Sequence, residues 1–230
     1  MATFVLVHGA WGGSWCWKRV RRALQAAGHE VFTPSLTGIG ERSHLLAPEV
    51  DLATQTLDVL NLIRWEELED LVLCGHSYGG MVVTGVADCI PERLRALVYL
   101  DAFVPEDGQS LADFAPISGA ELIDGWKSTP IPAEVFNVNP ADRAWVDAQR
   151  TPQSVACFTQ PAHLTGGLSR VRQIVYLYAA GWAGGVSPFH AHYRKARARG
   201  WRSSQIDCGH DVMLDRPEAV TSLLLSCLDG

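Results

Sequence analysis

The sequence predicts a three-layer α/β fold, with roughly six mostly parallel strands, helices on both faces and a helical cap insertion. Three observations carry this. Short, continuously apolar runs recur along the chain and read as strands buried on both faces. Helical patterns alternate with them, and the connections are long enough for parallel crossovers. The chain has 230 residues, 47% apolar and 19% charged, enough for one substantial core and short for two.

The first strand is Thr3 to Val7, broken by the glycine-rich loop His8-Gly9-Ala10-Trp11-Gly12-Gly13. Ser14 is placed to cap the next helix, which carries Trp17, Val20 and Leu24 and ends near Gly28. Val31 to Thr33 is a second strand closed by Pro34, and Thr37 to Arg42 reads as loop. A helix over Leu52 to Ile63 follows, with Asp51 as its cap. The third strand, Asp70 to Cys74, runs through Gly75-His76-Ser77-Tyr78-Gly79-Gly80 into an apolar helix that ends before Pro91. The fourth is Leu94 to Leu100, with Asp101 at its carboxyl end. From Pro105 to about Arg170 prolines, glycines and aromatic residues dominate, which no regular sheet layer tolerates. About 65 such residues make a marginal core alone. They read as a mostly helical cap, residues 105–170, on a single domain whose core is residues 1–104 and 171–230. A fifth strand at Gln173 to Tyr178, a helix from Phe189 to Arg199, a last strand from Trp201 to Asp207 and a helix from Pro217 to Cys227 complete the order. No internal repeat is visible.

The formal charge of −6 and the lack of a basic block argue against a nucleic-acid partner. The densest basic stretch, Arg194, Lys195, Arg197, Arg199 and Arg202, reads as a solvated helix face. No apolar run approaches the ~18 residues of a membrane span. The six cysteines lack C-x-x-C spacing and read as buried thiols, neither a disulfide framework nor a zinc site. With no leader at the start of the chain, a cytoplasmic location is expected. Dinucleotide and P-loop fingerprints are missing.

Gly75-His76-Ser77-Tyr78-Gly79 matches G-x-S-x-G, and its strand-to-helix context is the confirming one. The serine hydroxyl must project from a sharp turn, and small residues two positions either side let strand and helix approach. The helix start behind Ser77 also offers N–H groups to a developing oxyanion. The second donor in such sites comes from the loop after an earlier strand, so the backbone N–H groups of Ala10 and Tyr78 are the expected pair. Among eight histidines, His210 stands on the loop after the last strand and is the expected base. His8 is expected to brace the oxyanion loop and His76 to support the site from behind; His190 and His192 read as surface. The commonest place for the acid, residues 176–185, holds no carboxylate. Asp101, one strand over, is favoured, with Asp107, Asp207, Asp211 or no acid as alternatives. Of the eight tryptophans, Trp11, Trp126 and Trp182 are candidate walls of the substrate pocket.

Val7-His8-Gly9-Ala10-Trp11-Gly12-Gly13-Ser14-Trp15-Cys16-Trp17, Gly75-His76-Ser77-Tyr78-Gly79-Gly80-Met81 and Gly209-His210-Asp211 resemble the α/β-hydrolase superfamily. The narrower resemblance is to its branch of plant methyl esterases, hydroxynitrile lyases and bacterial EstC-like esterases. It runs from Thr3 to the closing helix and is weakest over Pro105 to Arg170. It implies Ser77 as nucleophile, His210 as base and Ala10 and Tyr78 as oxyanion donors. The lyases of that branch have threonine at the position of Gly9 and lysine at that of Asp211, so hydrolysis is favoured here.

The expected activity is hydrolysis of a small apolar or aromatic carboxylic ester through an acyl-enzyme, without metal or organic cofactor. Carbamate or amide hydrolysis, carbon–carbon bond hydrolysis, cyanohydrin cleavage and a non-enzymatic binding protein on the same scaffold are the alternatives. Oligomeric state is left open, a homodimer through surface helices being one arrangement.

Overall fold

The computed structural model describes residues 1–115, 122–182 and 187–229. Strands β1 (Thr3–Val7), β2 (Glu30–Phe32), β3 (Leu71–Ser77), β4 (Leu94–Ala102), β8 (Ile174–Ala179) and β9 (Arg202–Ile206) form one sheet in the order β2-β1-β3-β4-β8-β9. Every pairing within it is parallel. Period-two alternation divides the apolar runs between two cores. Phe4, Leu6, Val72, Cys74, Val98 and Leu100 face one side, while Val5, Val7, Leu71, Leu73, Leu97 and Tyr99 face the other. Helices α1 (Lys18–Ala26), α7 (Val212–Asp215) and α8 (Pro217–Leu225) cover the first face. On the second lie α2 (Leu52–Trp65), α3 (Gly79–Cys89) and α6 (Phe189–Ala198).

Local signals act largely as expected. Asp51 caps α2 by accepting the Thr54 N–H at 2.8 Å. Ser14 does not cap: its hydroxyl lies 2.8 Å from that of Thr33, and a 3-10 turn (Ser14–Trp17) precedes α1. Five cysteines are buried, but Cys89, at the end of α3, is exposed.

The segment between β4 and β8 departs from the expected helical cap. It holds a three-stranded antiparallel sheet of β5 (Leu122–Ile123), β6 (Lys127–Ser128) and β7 (Gln153–Ser154), with short helices α4 (Arg143–Gln149) and α5 (Ala156–Thr159). Prolines keep its helices to two turns or fewer, and backbone groups find partners across short strands instead. Cys157 and Phe158 join one core cluster and Ala133, Val138 and Val146 the other, so this segment shares the main core.

His192 corrects the surface reading of α6. Phe189, His192 and Ala196 form its buried stripe, and His192 Nδ1 accepts the Val104 N–H at 3.3 Å. His190 is half-buried against Tyr178, ring centroids 5.6 Å apart. The basic residues do face solvent, and Lys195 and Arg199 pair with Glu106.

Burial lowers the pKa of His8 and of His192 from 6.5 to about 4. The folded-state values lie below the unfolded ones, so the unfolded chain gains protons first as pH falls. Stability from keeping these rings neutral is complete above about pH 6.5 and is lost progressively toward pH 4, by roughly 3 kcal/mol at most for each ring. The urea midpoint is expected to fall between pH 7.5 and 5, and to fall less in His192→Asn. An equal fall in both proteins would remove His192 from this explanation.

Candidate active site

The carboxyl ends of β1, β3, β4, β8 and β9 gather the candidate residues at one edge of the sheet, where ligands bind in open parallel sheets. Ser77 ends β3 in the left-handed region, at φ 54°, immediately before α3. The flanking glycines have a steric reason. A Cβ on Gly75 would lie 2.6 Å from a Val83 methyl, and one on Gly79 would lie 2.6 Å from the His8 carbonyl oxygen. Gly9 fits tightly as well, since a Cβ there would meet Ser77 Cβ at 2.8 Å. The loop after β1 therefore rests directly on the serine turn. Neither the Ala10 nor the Tyr78 N–H has an acceptor among the described residues. Ala10, Tyr78, Ser77 and His210 line the same cavity.

His8 braces that loop. Its Nδ1–H donates to the Gly9 carbonyl at 2.8 Å while Nε2 accepts the Leu36 N–H at 3.0 Å. His76 lies behind Ser77, and its Nε2–H donates to the His210 carbonyl at 3.0 Å. Burial holds His76 well below the usual histidine range.

Asp101 is wholly buried and meets His210 at 2.7 Å, Oδ2 to Nδ1. A sheet irregularity aims it. His76 pairs with Leu100 and Ser77 with Ala102, leaving Asp101 as an extra residue of β4 at φ 43°. Without it, Asp101 would share the core face of Leu97 and Tyr99; Ala102 takes that place instead. The carboxylate also accepts the Ala179 N–H at 3.1 Å and the Trp182 indole N–H at 3.2 Å. Burial holds the Asp101 carboxyl above its ordinary value, and these three bonds offset only part of that rise. Because its Nδ1–H donates to Asp101, the neutral His210 ring keeps Nε2 as an acceptor.

Two of the alternative acids have other partners. Asp107 accepts the Leu164 N–H at 2.9 Å. The Asp211 carboxylate pairs with Arg150 at 2.9 Å, and among the described residues the carboxylate that bonds the His210 ring is that of Asp101. Of residues 176–185, where no carboxylate stands, 183–185 fall outside the described residues.

A cavity of about 250 Å³ opens above Ser77 and His210, walled by Trp11, Phe103, Phe136, Phe158, Trp182 and Phe189. Of the three candidate tryptophans, Trp11 and Trp182 line this cavity. Trp126 is not a wall: it sits in the β5–β6 turn with Lys127 Nζ 4.8 Å from its ring centre. The two-residue strands put Trp126 at the turn, and its carbonyl accepts the Val155 N–H. The four phenylalanines carry no local signal of this role, since Phe136 and Phe158 arrive from the segment between β4 and β8. A second role of Trp182, donating to Asp101, was likewise not visible.

His76, His210 and Asp211 offer ring nitrogens and a carboxylate oxygen within 4.8 Å of one another, the spacing of a metal site. They do not suit a cation. His76 Nε2 is committed to a carbonyl, and the Arg150 guanidinium already neutralises Asp211. A larger groove of about 630 Å³, lined in part by Asp88, Glu106, Leu168, Arg172 and Trp201, lies apart from Ser77 and His210. Among the described residues, no helix is long and apolar enough to cross a membrane.

Comparison with known proteins identifies the family. The model of the alpha/beta hydrolase family matches residues 4–223. A carbendazim hydrolyzing esterase from Nocardioides sp. (strain SG-4G) is 46% identical, over 97% of this chain and 98% of that protein. Salicylic acid-binding protein 2 of Nicotiana tabacum is 37% identical over 45% of this chain and 40% of its own length. Among solved structures, an extracellular alpha/beta-hydrolase from a Paenibacillus species superposes with a TM-score of 0.82, at 26% identity over 99% of each chain. With the family model spanning nearly its whole length and a full-length relative at 46% identity, the chain belongs to the alpha/beta hydrolase family, with kinship to bacterial esterases, plant methylesterases and hydroxynitrile lyases.

Proposed function

We propose that the protein is a carboxylesterase-type serine hydrolase acting on small esters with an apolar or aromatic part. The observation that carries this is the buried 2.7 Å Asp101–His210 bond beneath an aromatic-walled cavity shared with Ser77. Ser77 is the nucleophile and His210 Nε2 takes its proton as the hydroxyl attacks the ester carbonyl. The Ala10 and Tyr78 N–H groups hold the oxyanion, each such donor being worth about 2.7–4 kcal/mol in the transition state. His210 then protonates the leaving alcohol, and activates water to release the acid and regenerate Ser77. Asp101 holds the ring in the required tautomer and stabilises the imidazolium. The segment between β4 and β8 acts as a cap, its Leu111, Ile131, Val135, Phe136 and Phe158 walling the cavity.

The cavity suits a substrate about the size of a substituted aryl ester. Apart from Ser77, His210 and Ser128, its walls are almost entirely apolar. Carbendazim, for which the 46%-identical relative is named, is the first non-model substrate to try, and carbamates in general engage the same groups as esters. The test is hydrolysis of p-nitrophenyl acetate and butyrate, and of carbendazim, by the purified protein beside Ser77→Ala. Turnover that disappears in the variant is expected. Equal rates in both proteins would reject Ser77 as nucleophile and return attention to the carbon–carbon hydrolase, lyase and binding readings.

A further inference from the structure

Between α4 and α5, residues 150–153 touch all three loops that carry the candidate machinery. Arg150 Nη2–H donates to Asp211 Oδ2 at 2.9 Å, next to His210. Its other arm donates to the Ile131 carbonyl at 2.6 Å. The guanidinium lies 4.8 Å from the ring centre of Phe136, whose carbonyl accepts the His210 N–H at 2.9 Å. The Thr151 N–H donates to the Trp11 carbonyl at 3.1 Å, while Gln153 Oε1 accepts the Trp11 N–H at 3.0 Å. Trp11, held from both sides, sits at φ 57°, a strained value for a residue of its size. Gln153 Nε2–H also reaches Gln55 Oε1, which accepts the Tyr78 hydroxyl.

Within this clamp the Arg150–Asp211 pair is the unusual part. The two side chains are only 5% and 9% exposed. A buried ion pair must overcome a large desolvation cost, and apolar side chains of the same volume are often as stabilising. The reason for a charge here lies in the surroundings of His210. Its ionisable neighbours are Asp101 from β4, His76 from the serine turn, Cys16 from the 3-10 turn before α1, Asp211 from its own loop, and Arg150. Two of these are carboxylates. Asp101 holds Nδ1, and an Asp211 oxygen lies within 4.8 Å of ring nitrogens of both His210 and His76. Left unpaired, Asp211 would favour the protonated ring and compete with Asp101 to orient it.

We propose that Arg150 is a positioning residue: it neutralises and holds the Asp211 carboxylate so that Asp101 alone orients the His210 base. The proposal rests on the serine-hydrolase reading above. It makes the segment 150–153 more than a connection between helices, because Arg150, Thr151 and Gln153 fix the base loop, the oxyanion loop and, through Gln55, the serine turn. No bond is made or broken by Arg150 itself.

The test is the pH dependence of kcat/KM for p-nitrophenyl acetate in Arg150→Met, Arg150→Lys, Asp211→Asn and the double variant Arg150→Met/Asp211→Asn, using the full chain. In Arg150→Met the uncompensated carboxylate is expected to move the acid limb to higher pH, by about one unit. There kcat is expected to fall roughly 10- to 100-fold with KM little changed. In Asp211→Asn the uncompensated guanidinium is expected to move the limb to lower pH. The double variant is expected to return it to the wild-type position, and Arg150→Lys to keep it there. A purely structural pair would lower activity without these opposite displacements, so limbs that stay fixed, or move the same way in both single variants, overturn the proposal. If Arg150→Met does not fold, Asp211→Asn decides alone, because its amide still bonds Arg150; a limb that stays or rises overturns the proposal. Ser77→Ala separates the two levels. Turnover persisting there defeats the underlying reading, whereas its loss with unmoved limbs defeats only the role of Arg150.

Discussion

Asp101→Asn is expected to lower kcat for p-nitrophenyl esters by roughly 10⁴-fold while KM stays within a few-fold. That loss corresponds to about 5.5 kcal/mol of transition-state stabilisation. The surroundings of the side chain explain why so small a change is so damaging. Three N–H donors, from His210, Ala179 and Trp182, converge on its two oxygens in a site closed to water. An amide offers one acceptor where the carboxylate offered two. In either orientation an NH₂ group is set against an N–H, and the site relaxes by moving the His210 proton to Nε2 or by giving up a bond. In the first case the base can no longer accept from Ser77; in both, the imidazolium loses its counter-charge. A folded Asp101→Asn protein that keeps more than a tenth of wild-type kcat would show that some other group orients the base.

The second large effect is one of non-additivity. Ser77→Ala and His210→Ala are each expected to reduce kcat by about 10⁶-fold, and the double variant by no more than either alone. A base with no hydroxyl to deprotonate contributes nothing, and a hydroxyl with no base is a poor nucleophile. Residual rate above that of water is expected in all three, because the Ala10 and Tyr78 N–H groups and the aromatic walls remain. Losses that multiply would mean that the two residues act in separate steps or separate sites.

The serine turn was legible because its signal is local. An apolar strand, G-x-S-x-G and an apolar helix follow one another within twenty residues, and steric fit at Gly75 and Gly79 demands that composition. His210 was legible from chain order alone. Asp101 could be placed at a strand end but not aimed, since its direction comes from a slip in the pairing of β4 with β3. Strand pairing joins residues far apart in sequence, and a pattern read along one strand does not contain it. The same limit explains the small antiparallel sheet, in which Lys127 pairs with Ser154. Trp126 was misplaced as a consequence, because a tryptophan at a hairpin turn looks no different in sequence from one lining a cavity. His192 did carry a signal. Its spacing from Phe189 and Ala196 is that of a helix stripe, and the polar composition of α6 masked it. Cys89 lies at the helix end, where periodicity no longer constrains which face a side chain takes.

The most direct test of the serine-hydrolase mechanism is covalent labelling of the intact protein with diisopropyl fluorophosphate, read by mass spectrometry of the intact chain and of its peptides. Loss of esterase activity in step with one phosphoryl group per chain, carried on the peptide containing Ser77 and missing from Ser77→Ala, is the expected result. A label on another residue, or full esterase activity with Ser77 completely labelled, would contradict the mechanism.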